Sequence, residues 1–259
     1  MEFTDILYEK QNGIAKIIIN RPKVYNAFRT HTVKEICQAF EDAELDPELR
    51  VIVLRGSGDK AFCTGGDVKE AEGGGYNREM DYWHTQLHHI VRAITKPVIA
   101  AVNGWAIGGG HILHIICDLS IAADTAKFGQ AGPRVGSFDA GFGAAYLSRI
   151  VGEKKAREIW FLCRTYTAQE ALEMGLVNKV VPLSELDAEV ERWCKEIIEL
   201  SPTAIKFLKA AFNADTDHIF GFETMSASAV RLFWGSEEAQ KYKNLFNEKK
   251  KSKSKAERN

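Results

Sequence analysis

The stretch 14-IAKIII-19 is a β-branched apolar run closed by the turn-forming Asn20-Arg21-Pro22, and it has the composition and length of a buried strand. A largely polar helical pattern follows from about Thr32 to Ala43. Val51–Leu54 reads as a second strand, closed by Gly56-Ser57-Gly58. Pro97–Val102 reads as a third. Gly104 and then Gly108-Gly109-Gly110 punctuate the chain before an apolar helix through about Cys117, and Leu119–Ala122 makes a fourth strand. Strands alternating with helices predict a layered α/β core with parallel pairing. From Glu153 onward helical patterns dominate, as in 154-KKAREIWFLC-163 and 202-PTAIKFLKAAFNA-214. The pattern divides the chain into a core (1–200), a helical region (201–248) and a basic low-complexity tail (249–259) expected to be disordered. There is no internal repeat at the motif level.

The 259 residues suffice for one sizeable core, and 45% apolar with 27% charged residues is ordinary for a globular protein. A net charge of −1 gives no global pull toward nucleic acid or anionic lipid. No apolar run reaches membrane-spanning length and Met1-Glu2-Phe3 does not open a signal peptide, so a cytoplasmic protein is expected. The five cysteines are scattered and form no CxxC pair, which speaks for small buried hydrophobes in a reducing compartment. His84, His88 and His89 have no acidic partner at a ligand-like spacing, so they read as a helix face and no metal site is expected.

Chemistry enters with two glycine turns, 61-AFCTGGDVKE-70 and 104-GWAIGGGHIL-113, each at the end of a strand. Glycine lets backbone N–H groups approach a ligand unobstructed, and a helix N-terminus adds the favourable end of its dipole. Two such turns converging on one oxygen would form an oxyanion hole, where each donor contributes about 3–4 kcal/mol to the transition state. The alternative is a pair of tight packing turns. Neither segment is a phosphate loop.

The ordered set NRPKVYNAF, FCTGGD, AIGGGH and KFGQ resembles the crotonase (enoyl-CoA hydratase/isomerase) superfamily from about Leu7 to Lys249. The resemblance implies an α/β spiral of ββα units with a C-terminal helical trimerisation region, assembled as a trimer or a dimer of trimers. It implies an acyl-CoA substrate, no covalent cofactor, and an oxyanion hole from the Gly66 and Gly109 amides. Tyr25, Ala27 and Lys249 would contact the CoA.

In hydratases of this superfamily two glutamates hold the attacking water; the matching positions here are Ile112 and Gly132. Neither can deprotonate water, so ordinary hydration is not expected. The run 130-QAGPRVGSFDAGFG-143 followed by 154-KKAREIWFLCRTY-166 is similar to two branches, dihydroxynaphthoyl-CoA synthase and 2-ketocyclohexanecarboxyl-CoA hydrolase. The first closes a ring by Dieckmann condensation, and the second opens one with water. The resemblance implies catalytic roles for Ser137 and Asp139. It also implies an anion pocket at Gln130, Gly132 and Trp160, where the glycine makes room for bicarbonate as a borrowed base. Read from the residues alone, Ser137 and Asp139 could equally cap the following helix.

Three positions depart from the synthase pattern: Tyr25 for arginine, Ala131 for threonine, and Trp234 for a catalytic tyrosine. An indole donates but cannot supply a phenol's proton, so Trp234 is expected in the substrate pocket. Tyr76, in GGGYN, is a candidate proton donor. Stretches such as GDKAFCTGGD, ELDAEVERW and FNADTDH lean toward the hydrolase. The expectation is therefore hydrolytic ring opening of a cyclic 2-oxoacyl-CoA. Dieckmann synthesis is the alternative, and a non-catalytic acyl-CoA- or RNA-binding homologue is the minor one. The basic tail permits RNA, but the neutral body offers no aromatic–basic recognition motif, so no nucleic acid partner is expected.

Overall fold

The computed structural model describes residues 2–70 and 77–256. The strands are β1 (Ile6–Gln11), β2 (Ile14–Ile19), β3 (Val51–Gly56), β4 (Ala61–Cys63), β5 (Val98–Val102), β6 (Trp105–Ile107), β7 (Leu119–Ala123), β8 (Lys127–Gly129), β9 (Thr165–Thr167) and β10 (Lys179–Val181). They form a six-stranded sheet of order β1-β2-β3-β5-β7-β10 and a four-stranded sheet of order β4-β6-β8-β9. Among the described residues, only the β1–β2 hairpin of the larger sheet is antiparallel.

The apolar runs follow from this sheet being covered on both sides. Ile17, Ile19, Ile52, Leu54, Ala100 and Val102 face the main core. Alternate residues Val51, Val53, Ile99, Ala101 and Ile121 face a second core. The helices are α1 (Thr30–Leu45), α2 (Arg78–Ala93), α3 (Gly109–Ile116) and α4 (Gly132–Val135), then a π-helical turn (Gly141–Tyr146) that runs into α5 (Leu147–Val151). There follow α6 (Glu153–Leu162), α7 (Ala168–Glu173), α8 (Leu186–Ile198), α9 (Pro202–Ala214), α10 (Ile219–Trp234) and α11 (Glu237–Ala256). Leu186, Val190 and Cys194 of α8 close the second core. Helices α1, α2 and α3 pack on the main one.

The smaller sheet positions the chemistry. Parallel β4 and β6 end at the same edge, so the loops leaving them, Thr64-Gly65-Gly66 and Gly108-Gly109, emerge side by side. The basic segment, expected to be disordered from 249 onward, continues α11 as far as Ala256. Lysine and glutamate are good helix formers, and the helix is already under way from Glu237.

Candidate active site

The two glycine turns abut. Gly65 has φ +85° and Gly108 φ +57°, conformations that favour glycine. A Cβ on Gly65 would lie 2.9 Å from the Gly109 nitrogen, and one on Gly110 only 1.9 Å from the Cys63 carbonyl oxygen. Phe28 donates to the Gly65 carbonyl at 2.9 Å and accepts from Asp67 at 2.7 Å, which leaves the Gly66 N–H pointing away from Phe28. Gly109 is the first residue of α3, where a helix leaves its N–H groups without an intrahelical partner. Two such donors at neighbouring turns can hold an oxyanion.

The NRPKVYNAF segment clasps this arrangement. Asn26 is buried in a left-handed conformation and donates to the Ala61 carbonyl at 2.7 Å, while Arg21 donates to the Ala27 carbonyl and to Asp67. Beside it lies an open cavity of about 310 Å³ lined by Lys23, Tyr25, Ser57 and Lys60, among others. Tyr25 is half exposed, Ala27 is buried, and Lys249 stands on the exposed face of α11.

Asp139 precedes the π-helical turn and accepts the N–H groups of Gly141 and Gly143, the latter at 3.0 Å. The capping alternative is therefore real, yet it does not exhaust the residue. Burial, and then the negative charge of Glu223, push the Asp139 carboxyl up to about 7; His88 and the two N–H groups only partly oppose them. A partly buried carboxyl that changes state near neutrality is suited to proton transfer. Ile112 stands close by: its side chain lies 3.0 Å from where a Cβ on Gly143 would be.

Gly132 and Trp160, two of the residues expected to line an anion pocket, are brought together. A Cβ on Gly132 would come 2.7 Å from the Ser137 carbonyl oxygen and 2.9 Å from the Trp160 ring. Trp160 donates its indole N–H to the Gly143 carbonyl at 2.5 Å, and Gln130 donates to His111 Nδ1 at 3.2 Å. Close packing of Trp160 and Ser137 thus requires the glycine, and the Trp160 indole N–H and one of the two Gln130 amide protons are engaged within the protein. Ser137 itself donates its N–H to the Gly132 carbonyl at 2.8 Å, closing α4. Trp234 ends α10, whose Phe233 tilts against Phe138 with centroids 5.7 Å apart, next to Asp139 in sequence. Tyr76 lies outside the described residues.

Glu223 and His88 were missed in the sequence. Their pairing, Glu223 Oε1 to His88 Nδ1 at 2.9 Å, joins residues 135 positions apart and leaves no local signal. Both are buried. The ligand-type atoms of His84, His88 and Glu223 lie within 4.8 Å of one another. One Glu223 oxygen is paired with His88, and the other accepts the Phe142 N–H at 3.2 Å. Burial and then the charge of His88 press His84 down to about 3, so it is neutral. The five cysteines are free and buried.

A two-sheet α/β core, a helical C-terminal region and paired glycine turns at a strand edge define a crotonase-fold protein. The chain belongs to the enoyl-CoA hydratase/isomerase family, which it matches over residues 9–256. It is similar to an enoyl-CoA hydratase from Mycobacterium avium subsp. paratuberculosis K-10, with 26% identity over 94% of this chain and 99% of the other and a TM-score of 0.86. An enoyl-CoA hydratase/isomerase from Xanthobacter autotrophicus Py2 is 30% identical, covering 95% and 94% of the two chains, with a TM-score of 0.86. An enoyl-CoA hydratase/carnithine racemase from Magnetospirillum magneticum is 34% identical over 83% and 82%, with a TM-score of 0.78. Among the described residues, no helix is long and apolar enough to cross a membrane.

Proposed function

We propose that this acyl-CoA enzyme opens a ring by hydrolysis, converting a cyclic 2-oxoacyl-CoA to a dicarboxylic mono-CoA thioester. The observation that carries the reading is the partly buried Asp139, its carboxyl pushed up by desolvation and by Glu223 and facing Ile112 across Gly143, with Ile112 and Gly132 where a hydratase would need carboxylates. Asp139 removes a proton from water, and the resulting hydroxide adds to the ring ketone beside Ser137. The bond between the ketone carbon and the α-carbon breaks, and its electron pair moves to the α-carbon and thioester oxygen as an enolate. The Gly66 and Gly109 amides bind that enolate more strongly than the starting thioester. Protonation of the α-carbon, by Asp139 or by Tyr76, completes a reaction that consumes one water.

The raised carboxyl of Asp139, and the engagement of the Trp160 indole N–H and of one Gln130 amide proton within the protein, favour an internal base over borrowed bicarbonate. In this reading Trp234 borders the acyl pocket. The cavity at Tyr25, near Ala27 and flanked by Lys23 and Lys60, takes part of the CoA. Lys249 reaches CoA phosphates on a neighbouring subunit of a trimer or a dimer of trimers. Mass spectrometry of products from a panel of cyclic 2-oxoacyl-CoA esters, beside succinylbenzoyl-CoA and crotonyl-CoA, tests the reading. Ring-opened diacids are expected. Ring closure of succinylbenzoyl-CoA would assign the synthase reaction instead, and hydration of crotonyl-CoA would remove both.

A further inference from the structure

Glu223 is a buried carboxylate that the ring-opening step does not use. It lies on α10 one helical turn before Ser226, so the two side chains share a face. Ser226 Oγ accepts the Ala140 N–H at 2.7 Å, and Glu223 Oε2 accepts that of Phe142 at 3.2 Å. Asp139 accepts those of Gly141 and Gly143. Four successive N–H groups are thus divided in alternation between α10 and Asp139. Gly141 accommodates this: a Cβ there would lie 2.0 Å from Glu223 Oε2. On its other side Glu223 is fixed by His88 of α2, a fully buried ring whose Nε2 has no hydrogen-bond partner among the described residues.

We propose that Glu223, held by His88, is a positioning residue for Asp139: it fixes the turn on which Asp139 stands and sets a negative charge beside that carboxyl. The proposal rests on the reading of Asp139 as the base. The ionisable groups around Asp139 are few. From α2 come His84, His88, His89 and Arg92, the last lying over the Phe142 and Tyr146 rings at 5.5 and 4.5 Å. Glu223 comes from α10 and Tyr146 from the turn itself, whereas α3 and α6 contribute the uncharged Ile112 and Trp160. Of these, Glu223 raises the Asp139 carboxyl most and His88 opposes it. Glu223→Gln removes the like charge and lets Asp139 ionise at lower pH. It also removes the reason for a charge on His88, so part of the shift is cancelled, but the larger effect keeps its sign. His88→Gln leaves Glu223 without its counter-charge and moves Asp139 the other way.

The test follows isotope-labelled aspartate carboxyl carbons by NMR, with Asp139 assigned through loss of its signal in Asp139→Asn, and so needs no substrate. The wild-type midpoint is expected near 7. It should fall by about one pH unit in Glu223→Gln and rise in His88→Gln. Ser226→Ala, which loosens the same turn without changing charge, should leave the midpoint in place. If both charge variants fold, by circular dichroism, and leave the midpoint unmoved, the proposal is overturned. If Glu223→Gln does not fold, the direction of the His88→Gln shift decides alone, and a fall or no change overturns the proposal. A midpoint that moves as described in a protein that opens no ring would refute the ring-opening reading and leave the Glu223–Asp139 coupling standing.

Discussion

At the scale of single residues, Asp139 is both the proposed base and the acceptor that pins its own turn, and the two roles pull against each other. Its carboxyl is held up to about 7 against an ordinary value of 3.8, so between those limits the folded chain binds more protons than the unfolded chain. Stability therefore falls as pH rises through that window, and the ionised base is a folding cost. Asp139→Asn should cut turnover by about 10²–10⁴-fold. It should also raise stability at pH 8 by roughly 1–3 kcal/mol, allowing for access of water to the site. That gain should vanish by pH 4, as thermal melts at both pH values will show. A variant that keeps most of its activity would leave Asp139 as a cap only. Gly132 gives a second prediction, because its Cβ position is already crowded by Trp160 and the Ser137 carbonyl. Gly132→Ala should destabilise by about 1–3 kcal/mol through overpacking. Bicarbonate added to carbonate-depleted buffer should leave wild-type turnover unchanged, whereas a rise that saturates would restore the borrowed base.

At the scale of elements, the long buried strands were legible because the larger sheet is covered on both faces and each strand is a continuous apolar run. Ile14–Ile19 was read to the residue, and the helix expected from Thr32 begins two residues earlier. Strand β1 went unread because it is an edge strand with mostly exposed side chains, although Asn12-Gly13, both with positive φ, marks its hairpin. Strands β4, β6, β8 and β9 have three residues each, too few to show a period. The glycine turns were legible as a motif, but the reason for each glycine was not. Gly110 is demanded by the approach of α3 to β4, and Gly141 by Glu223. The Glu223–His88 pair depends on α10 crossing α2, which no local pattern encodes. Gly110→Ala should therefore act on the fold and the site together. It should give little soluble protein, or folded protein that has lost turnover, as expression and circular dichroism will show. A folded, fully active Gly110→Ala would show that α3 can shift without disturbing Gly109.

At the scale of the whole molecule, α9 and α10 leave Phe207, Phe212, Met225 and Leu232 more than half exposed, which is costly unless another surface covers them. If the helical region assembles subunits as proposed, the wild type should sediment as a trimer or a multiple of it. Phe207→Glu combined with Phe212→Glu should shift it toward monomer, and a wild type that is monomeric at micromolar concentration would contradict this. In the proposed reaction a crotonase-fold site without hydratase carboxylates uses Asp139 and water to cleave a ring carbon–carbon bond. Turnover of a cyclic 2-oxoacyl-CoA in heavy-oxygen water, followed by mass spectrometry, tests it most directly. The predicted product is an open-chain mono-CoA thioester with one heavy oxygen in the new carboxylate, and Asp139→Asn should not form it. An intact ring, or label found only in a β-hydroxyl group of a hydrated enoyl thioester, would contradict the claim.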